Sequence, residues 1–313
     1  MTAVRRPRRR GPLTMVGTLL LAVLLTACMT APIDVAAVGG ATDSPLRDGP
    51  RIATITHDEP IPVEQHPAAG PQADRIIALD RNGTLGAIVY ALGLGPNVVG
   101  RDRSTTFAAA LPLPEVTDAG HAVNFEKVLA QSPSIVLASA DATPVGVLNQ
   151  LREARINVVE FTGERSVAGA PDLIRAVATA LGAPVAGEKL VTRTAGEIAA
   201  AQAALPTPTG DPVIAFLYIR GDRLILLAGP QSGADDLIGA LGGRDAGTAS
   251  GLTAAFTTMS TESLMRADPD VILVMTQGAE SVGGLDRVAQ LPAVAGTKAG
   301  RAGRIIAMDE TEI

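Results

Sequence analysis

Tyr218 and Arg220 are the residues of this chain best placed to do chemistry together. They close the run Pro212-Val213-Ile214-Ala215-Phe216-Leu217-Tyr218-Ile219-Arg220-Gly221, which reads as a β-strand ending at a glycine. A period of two puts Phe216, Tyr218 and Arg220 on one face. In an open α/β sheet the pair then stands at the carboxyl end of its strand, the edge where such sheets bind ligands. A cation beside a phenol favours the phenolate. A phenolate is a hard, anionic oxygen donor suited to ferric iron, and tyrosine is a haem-iron ligand in other proteins. The same pattern also suits a tyrosine ring packed into a core beside a surface arginine. With two Tyr, five Phe and no Trp in 313 residues, each tyrosine bears separate scrutiny.

His121 is the second candidate. It follows Ala119-Gly120 and precedes a short helical pattern bearing Glu126, which places it on a loop. There it reads either as an ordinary solvated histidine or, facing Tyr218, as a neutral nitrogen donor on the other side of a metal centre. His57 and His66, in a polar linker, read as solvated, and Tyr90, in an apolar helical run, reads as core. Asp80, Asp102, Asp118 and Asp141 fall at strand or loop ends without paired-acid spacing. Gly229-Pro230-Gln231-Ser232-Gly233 precedes a helix and could cradle an anion on backbone N–H groups. The sequence holds no G-x-S-x-G, H-E-x-x-H or P-loop motif, so an enzyme lacks a nucleophile–base pair to rest on.

The elements that must position these residues repeat one plan. Strand-like runs at Arg75–Asp80, Ile135–Ala138 and Val158–Phe161 alternate with helical patterns through Leu85–Leu92, Asn124–Leu129 and Val147–Glu153. Strands alternating with helices predict α/β architecture with doubly wound parallel sheets. The later chain echoes this: Glu126 precedes Pro133 by seven residues, and Glu262 precedes Pro269 by seven. Ala91-Leu92-Gly93 is answered by Ala240-Leu241-Gly242. The two offsets, 136 and 149 residues, describe two similar lobes and not a solenoid. Between them, residues 171–205 are largely helical and predict a stiff bridge with a ligand cleft between lobes. The expected domains are 74–170, the bridge 171–205, and 206–313.

Composition narrows the classes. Hydrophobic residues make up 47% and charged residues 19%, which excludes wholesale disorder. A net charge of -6 argues against a nucleic-acid partner, and one cysteine excludes a disulfide framework. Residues 1–28 pair an arginine-rich start with an apolar run from Leu13 to Leu25, too short to span a membrane, in the manner of a signal peptide. The run ends Leu25-Thr26-Ala27-Cys28, which resembles a bacterial lipobox and implies lipidation of Cys28. Residues 29–73, rich in Pro, Gly and Ala, read as a flexible tether.

The lipobox, the two-lobe repeat and the bridging helix together resemble the substrate-binding lipoproteins of bacterial ABC importers for haem, cobalamin and siderophores. Gly120-His121 ahead of Asn124-Phe125-Glu126, with Phe216-Leu217-Tyr218-Ile219-Arg220-Gly221, is similar to the haem-binding members. The resemblance implies axial ligation of ferric haem by His121 and Tyr218, with Arg220 hydrogen-bonding the tyrosine. It implies Met275 as a pocket residue and Glu126 and Glu262 as docking points for a permease. It also implies a helix after the strand Arg304–Asp309, which a chain ending at Ile313 is expected to lack.

The expectation is a monomeric, non-enzymatic haem carrier, lipid-anchored on the outer face of the cell membrane. A ferric siderophore or cobalamin carrier of the same fold is the alternative, and a haem- or metal-dependent oxidoreductase is a more distant one.

Overall fold

The computed structural model describes residues 46–309 except 54–58, 141, 143, 145, 163–165 and 206–209. The signal segment with Cys28, as well as His57 and Asp141, lies outside the described residues.

The strand β1 (Arg51–Ile52) belongs to the second sheet. The first sheet contains β2 (Ile76–Leu79), β3 (Val98–Arg101), β4 (Ile135–Ser139) and β5 (Asn157–Phe161). Their order is β3-β2-β4-β5 and all pairs are parallel. Continuous apolar runs such as Ile76-Ile77-Ala78-Leu79 suit strands covered on both faces. One face packs under α1 (Thr84–Ala91), through Leu85, Ile88 and Val89. The other packs under α2 (Phe125–Ala130) and α3 (Val147–Glu153), through Val128, Leu148 and Leu151.

The helix α4 (Ala170–Ala180) returns to the first core through Ile174, Val177 and Ala178. Gly182, at φ +68°, breaks the chain, and α5 (Pro184–Ala203) starts with a proline where no backbone donor is needed. The expected bridge is therefore two helices. At 20 residues α5 is about 30 Å long. Its first half buries Ala186, Leu190 and Val191 in the first lobe, and its last turns are largely exposed. Gly187 makes the α4–α5 approach possible, since a Cβ there would lie 2.5 Å from that of Ala178.

The second sheet holds β6 (Val213–Arg220), β7 (Leu224–Ala228), β8 (Arg244–Asp245), β9 (Phe256–Thr258), β10 (Val271–Met275) and β11 (Ile305–Met308). The order is β1-β11-β10-β6-β7-β9, with β8 beside the start of β6. The pairs from β1 to β6 are parallel, but β7 runs antiparallel to both β6 and β9. The sheet is thus mixed, because the β6–β7 connection is a tight turn at Gly221, φ +60°, and not a helical crossover. Around it lie α6 (Ala234–Ala240), α7 (Ala246–Ala249), α8 (Thr261–Ala267), α9 (Thr276–Ser281), α10 (Leu285–Gln290), α11 (Pro292–Ala295) and α12 (Lys298–Ala302).

Part of the expected tether is built into this body. Arg51 and Ile52 pair with Ile306 and Ala307 of β11, and Arg304 reaches Asp48 at 2.8 Å. Residues 61–70 lie on the first lobe: Val63 N donates to Ala91 O, Gly70 N donates to Leu181 O, and Lys189 pairs with Glu64 at 2.7 Å. Low periodicity concealed this contact, since a two-residue edge strand and a draped loop leave no sequence period. Among the described residues no helix is long and apolar enough to cross a membrane.

Candidate ligand-binding site between the lobes

Tyr218 is carried by a strand buried on both faces. Val213, Ala215, Leu217 and Ile219 enter one core of the second lobe, while Ile214 and Phe216 enter the other. Tyr218 continues that second row, half-buried, opposite Leu226 of β7. Met275 ends the neighbouring strand β10, whose register sets Val274 beside Leu217, and packs into the same cluster as Tyr218. Phe256 of β9 meets the Tyr218 ring edge-on at 6.3 Å and the Phe216 ring at 6.5 Å, yet stays 40% exposed. Phe216 and Tyr218 therefore fall on one face, as their spacing predicts, and Met275, expected from the resemblance, packs beside them.

Arg220 departs from expectation in one respect. Its guanidinium carbon lies 4.8 Å from the centroid of the Tyr218 ring, a cation–π position. Its Nη1 donates to the Ile219 carbonyl at 3.1 Å. Among the described residues no hydrogen bond joins Arg220 to the tyrosine hydroxyl. Both side chains leave the same strand face two residues apart, and that spacing stacks the long arginine over its neighbour's ring.

His121 sits on the first lobe at the end of a single 3-10 turn, Ala119–His121. Gly120 and His121 both adopt positive φ, +72° and +63°. Such a pair reverses the chain within two residues and is tolerated by glycine and, less readily, by histidine. Asp118 secures the loop. Its backbone N–H donates to Ala122 O at 2.7 Å, and its carboxylate accepts from Asn124 and from Lys127, each at 2.8 Å. The imidazole is half-buried in a crevice lined by Leu79, Asp80, Asp102, Thr117 and Val123. Its Nδ1 lies 3.1 Å from the Ser104 hydroxyl, and Nε2 has no protein partner among the described residues. Burial lowers the pKa of His121, and the charges of Arg81, Arg103 and Arg220 lower it further, against a smaller opposing pull from Glu115. These effects favour the neutral imidazole, the form that ligates metals. Arg220 belongs to the second lobe, so the two lobes approach closely enough here for its charge to act on His121. A further contact between lobes runs from Val167 N to the Asp236 carboxylate, 2.5 Å.

Asp102 is the residue whose importance the sequence hides. It is 1% exposed, and its carboxylate accepts from Asp80 N at 2.7 Å, Thr105 N at 2.7 Å and Thr105 Oγ1 at 2.8 Å. Burial outweighs these hydrogen bonds and pushes its pKa up to about 6. Asp80, 22 positions earlier, accepts from Asn82 N and Leu85 N. The two acids expected to be scattered instead converge beneath His121, joined across strands that only the fold brings together.

Other candidates resolve plainly. Tyr90 is half-buried against Phe107, ring centroids 4.7 Å apart, as part of the first lobe. The Gly229–Gly233 loop does not offer an anion cradle: the Asp235 carboxylate already accepts from Gln231 N and Gly233 N. Glu126 and Glu262 are both exposed and both lie at the second position of a short helix. Asn124 caps the first helix by accepting from Lys127 N, and Ser260 caps the second by accepting from Ser263 N. Glu262 additionally pairs with Arg266 at 2.6 Å. Among the described residues no cluster of His, Cys, Asp and Glu could by itself hold a metal ion.

Two α/β lobes joined through a long helix define a substrate-binding protein of the bilobed type. The chain belongs to the periplasmic binding protein family, whose model matches residues 77–312 and implies a location outside the cytoplasm. Among solved structures, the heme binding protein HmuT is 31% identical, with a TM-score of 0.80 over 87% of this chain and 93% of that one. The apo form of the periplasmic heme-binding protein RhuT from Roseiflexus sp. RS-1 is 36% identical, with a TM-score of 0.71 over 76% and 90%. BhuT, a periplasmic heme-binding protein solved with two hemes, is 31% identical, with a TM-score of 0.67 over 75% and 89%. Structures of HmuT substituted singly at a histidine, a tyrosine and an arginine show the same fold. There the arginine follows the tyrosine by two positions and the histidine precedes it by 99, against 97 here. No curated protein matches the chain.

Proposed function

We propose that this protein captures ferric haem in the cleft between its lobes and delivers it to an ABC permease, without covalent chemistry. Tyr218 supplies an anionic oxygen donor from one lobe and His121 a neutral nitrogen donor from the other, one to each axial position. Filling both axial positions leaves no open site for a substrate, which argues against an oxidoreductase. The porphyrin faces are apolar, and Met275, Leu226 and the exposed edge of Phe256 provide a matching wall. Arg81 and Arg103, whose charges already act on His121, oppose the negative propionates. Glu126 and Glu262, equivalent exposed acids on the two lobes, are the docking points for basic residues of the permease. Cys28 carries the lipid that keeps the protein at the outer face of the cell membrane, and the carrier works as a monomer.

The observation that supports this reading is that His121 and Tyr218, carried on different lobes, are spaced within two positions of the histidine and tyrosine substituted in HmuT, with Arg220 following the tyrosine by two as it does there. Its test is a titration of the purified protein with haemin, followed by absorption spectroscopy. A saturable one-to-one Soret band, altered in both Tyr218→Ala and His121→Ala, is the expected result. If the wild type shows no saturable band, haem is the wrong ligand, and ferric siderophores and cobalamin become the ones to titrate.

A further inference from the structure

The proton count at Ser104 decides which nitrogen of His121 is free. The Ser104 hydroxyl owns one proton. It lies 2.5 Å from the Arg81 carbonyl oxygen, a group that can only accept, so that proton is committed there. The same oxygen lies 3.1 Å from His121 Nδ1. With its only proton already donated, Ser104 can act toward the ring solely as an acceptor, and Nδ1 must carry the hydrogen. A neutral imidazole protonated at Nδ1 has its lone pair on Nε2, the nitrogen with no partner among the described residues. We propose that Ser104 is a positioning residue: it fixes the tautomer and the orientation of His121 so that Nε2 is presented to the incoming metal centre. The value of this arrangement to haem capture rests on the function proposed above; the tautomer itself does not.

The serine is itself held in place. Asp102 gathers Thr105 N and Oγ1 on one side and Asp80 N on the other, tying the turn that contains Ser104 to the end of β2. The Arg81 carbonyl that takes the serine proton belongs to the residue after Asp80. Gly83, at φ +73°, lets the two loops touch, since a Cβ there would fall 2.7 Å from Ser104 O. Three separate stretches of chain, around residues 80, 104 and 121, are thereby joined by hydrogen bonds. Groups that donate or accept at the far nitrogen of a ligating histidine fix its tautomer and ring direction in metal sites generally.

The test has two arms. In the ligand-free protein, two-bond 15N–1H correlations at about pH 8 report the tautomer of each neutral histidine. His121→Ala assigns the His121 signals. The wild type should show His121 protonated at Nδ1. Ser104→Ala should move it toward the Nε2-protonated form, and Ser104→Thr, which keeps the hydroxyl, should restore the wild-type pattern. A wild type protonated at Nε2, or a tautomer indifferent to Ser104→Ala, overturns the inference. In the second arm, haemin transfer to apomyoglobin should be about tenfold faster from Ser104→Ala than from wild type or Ser104→Thr, the scale at which orienting groups act. Equal rates from all three proteins would remove the serine from the ligand's path. A wild type that takes up no haemin refutes the haem reading and leaves the tautomer measurement standing.

Discussion

The two lobes present their ligand-competent side chains by opposite means. In the second lobe Tyr218 rides on β6, a strand hydrogen-bonded on both sides and buried on both faces, with Arg220 stacked over its ring. In the first lobe His121 rides on a single turn with two successive positive-φ residues, held through Asp118 and Ser104. A strand fixes its side chain by the cooperative stability of the sheet. A loop fixes its side chain by a few hydrogen bonds and opens at lower cost. In the proposed site the tyrosine is therefore the permanent half and the histidine the adjustable half.

Tyr218→Phe is the most severe challenge to this contrast. It keeps the ring, the Phe256 contact and the Arg220 stack, and removes only the oxygen. Haemin affinity measured by Soret titration should fall by more than about 100-fold, beyond the range of orienting groups. A small loss would hand the anchoring role to the first lobe.

Asp102 sharpens the contrast through pH. Its pKa of about 6 in the folded protein exceeds that of an unfolded aspartate, about 3.9. Between those values the folded state holds a proton that the unfolded state has lost, so stability falls as pH rises through the window, by up to about 3 kcal/mol. Urea unfolding at about pH 4.5, 5.5 and 6.5 should show this slope in the wild type and not in Asp102→Asn. Matching slopes would mean that Asp102 does not keep that proton.

His121→Ala comes next in size, with a loss of affinity of roughly 10- to 100-fold that leaves Tyr218 binding intact. A loss larger than that of Tyr218→Phe would reverse the ranking of the lobes. Arg220→Met retains the apolar stem and removes the charge over the ring. The expected cost is about 1 kcal/mol, roughly a fivefold rise in Kd. Glu126→Ala and Glu262→Ala should leave haemin titration unchanged, and the exposed Glu262–Arg266 pair should cost under about 1 kcal/mol of stability. Their loss should be felt only in uptake by cells carrying the permease.

How much was legible in the sequence follows the same division. Tyr218, Phe216 and Arg220 were readable because a buried strand has a strict period of two and a clear end. The repeat of an acid seven residues before a proline, Glu126 to Pro133 and Glu262 to Pro269, was readable because it occurs twice at one spacing. The role of Asp102 and Ser104 was not, because their partners lie 22 and 17 positions away and meet only when β2 and β3 pair. The antiparallel β7 and β9 were not, because an apolar run carries no mark of its direction. The anion cradle at Gly229–Gly233 was misread because the competing Asp235 lies two residues beyond the loop and occupies the same N–H groups.

The pairing of β1 with β11 has a consequence for the order in which the molecule is completed. Arg51 meets Ile306 across 255 residues, whereas β2, β4 and β5 close within a stretch of fewer than 90. Contacts that close long loops form late. The first lobe can assemble from chain already in hand, while the earliest strand must wait as an open edge for the last one. Synthesis and folding thus run in different orders here: among the described strands the first to be made, β1, is paired only when the last, β11, is in place.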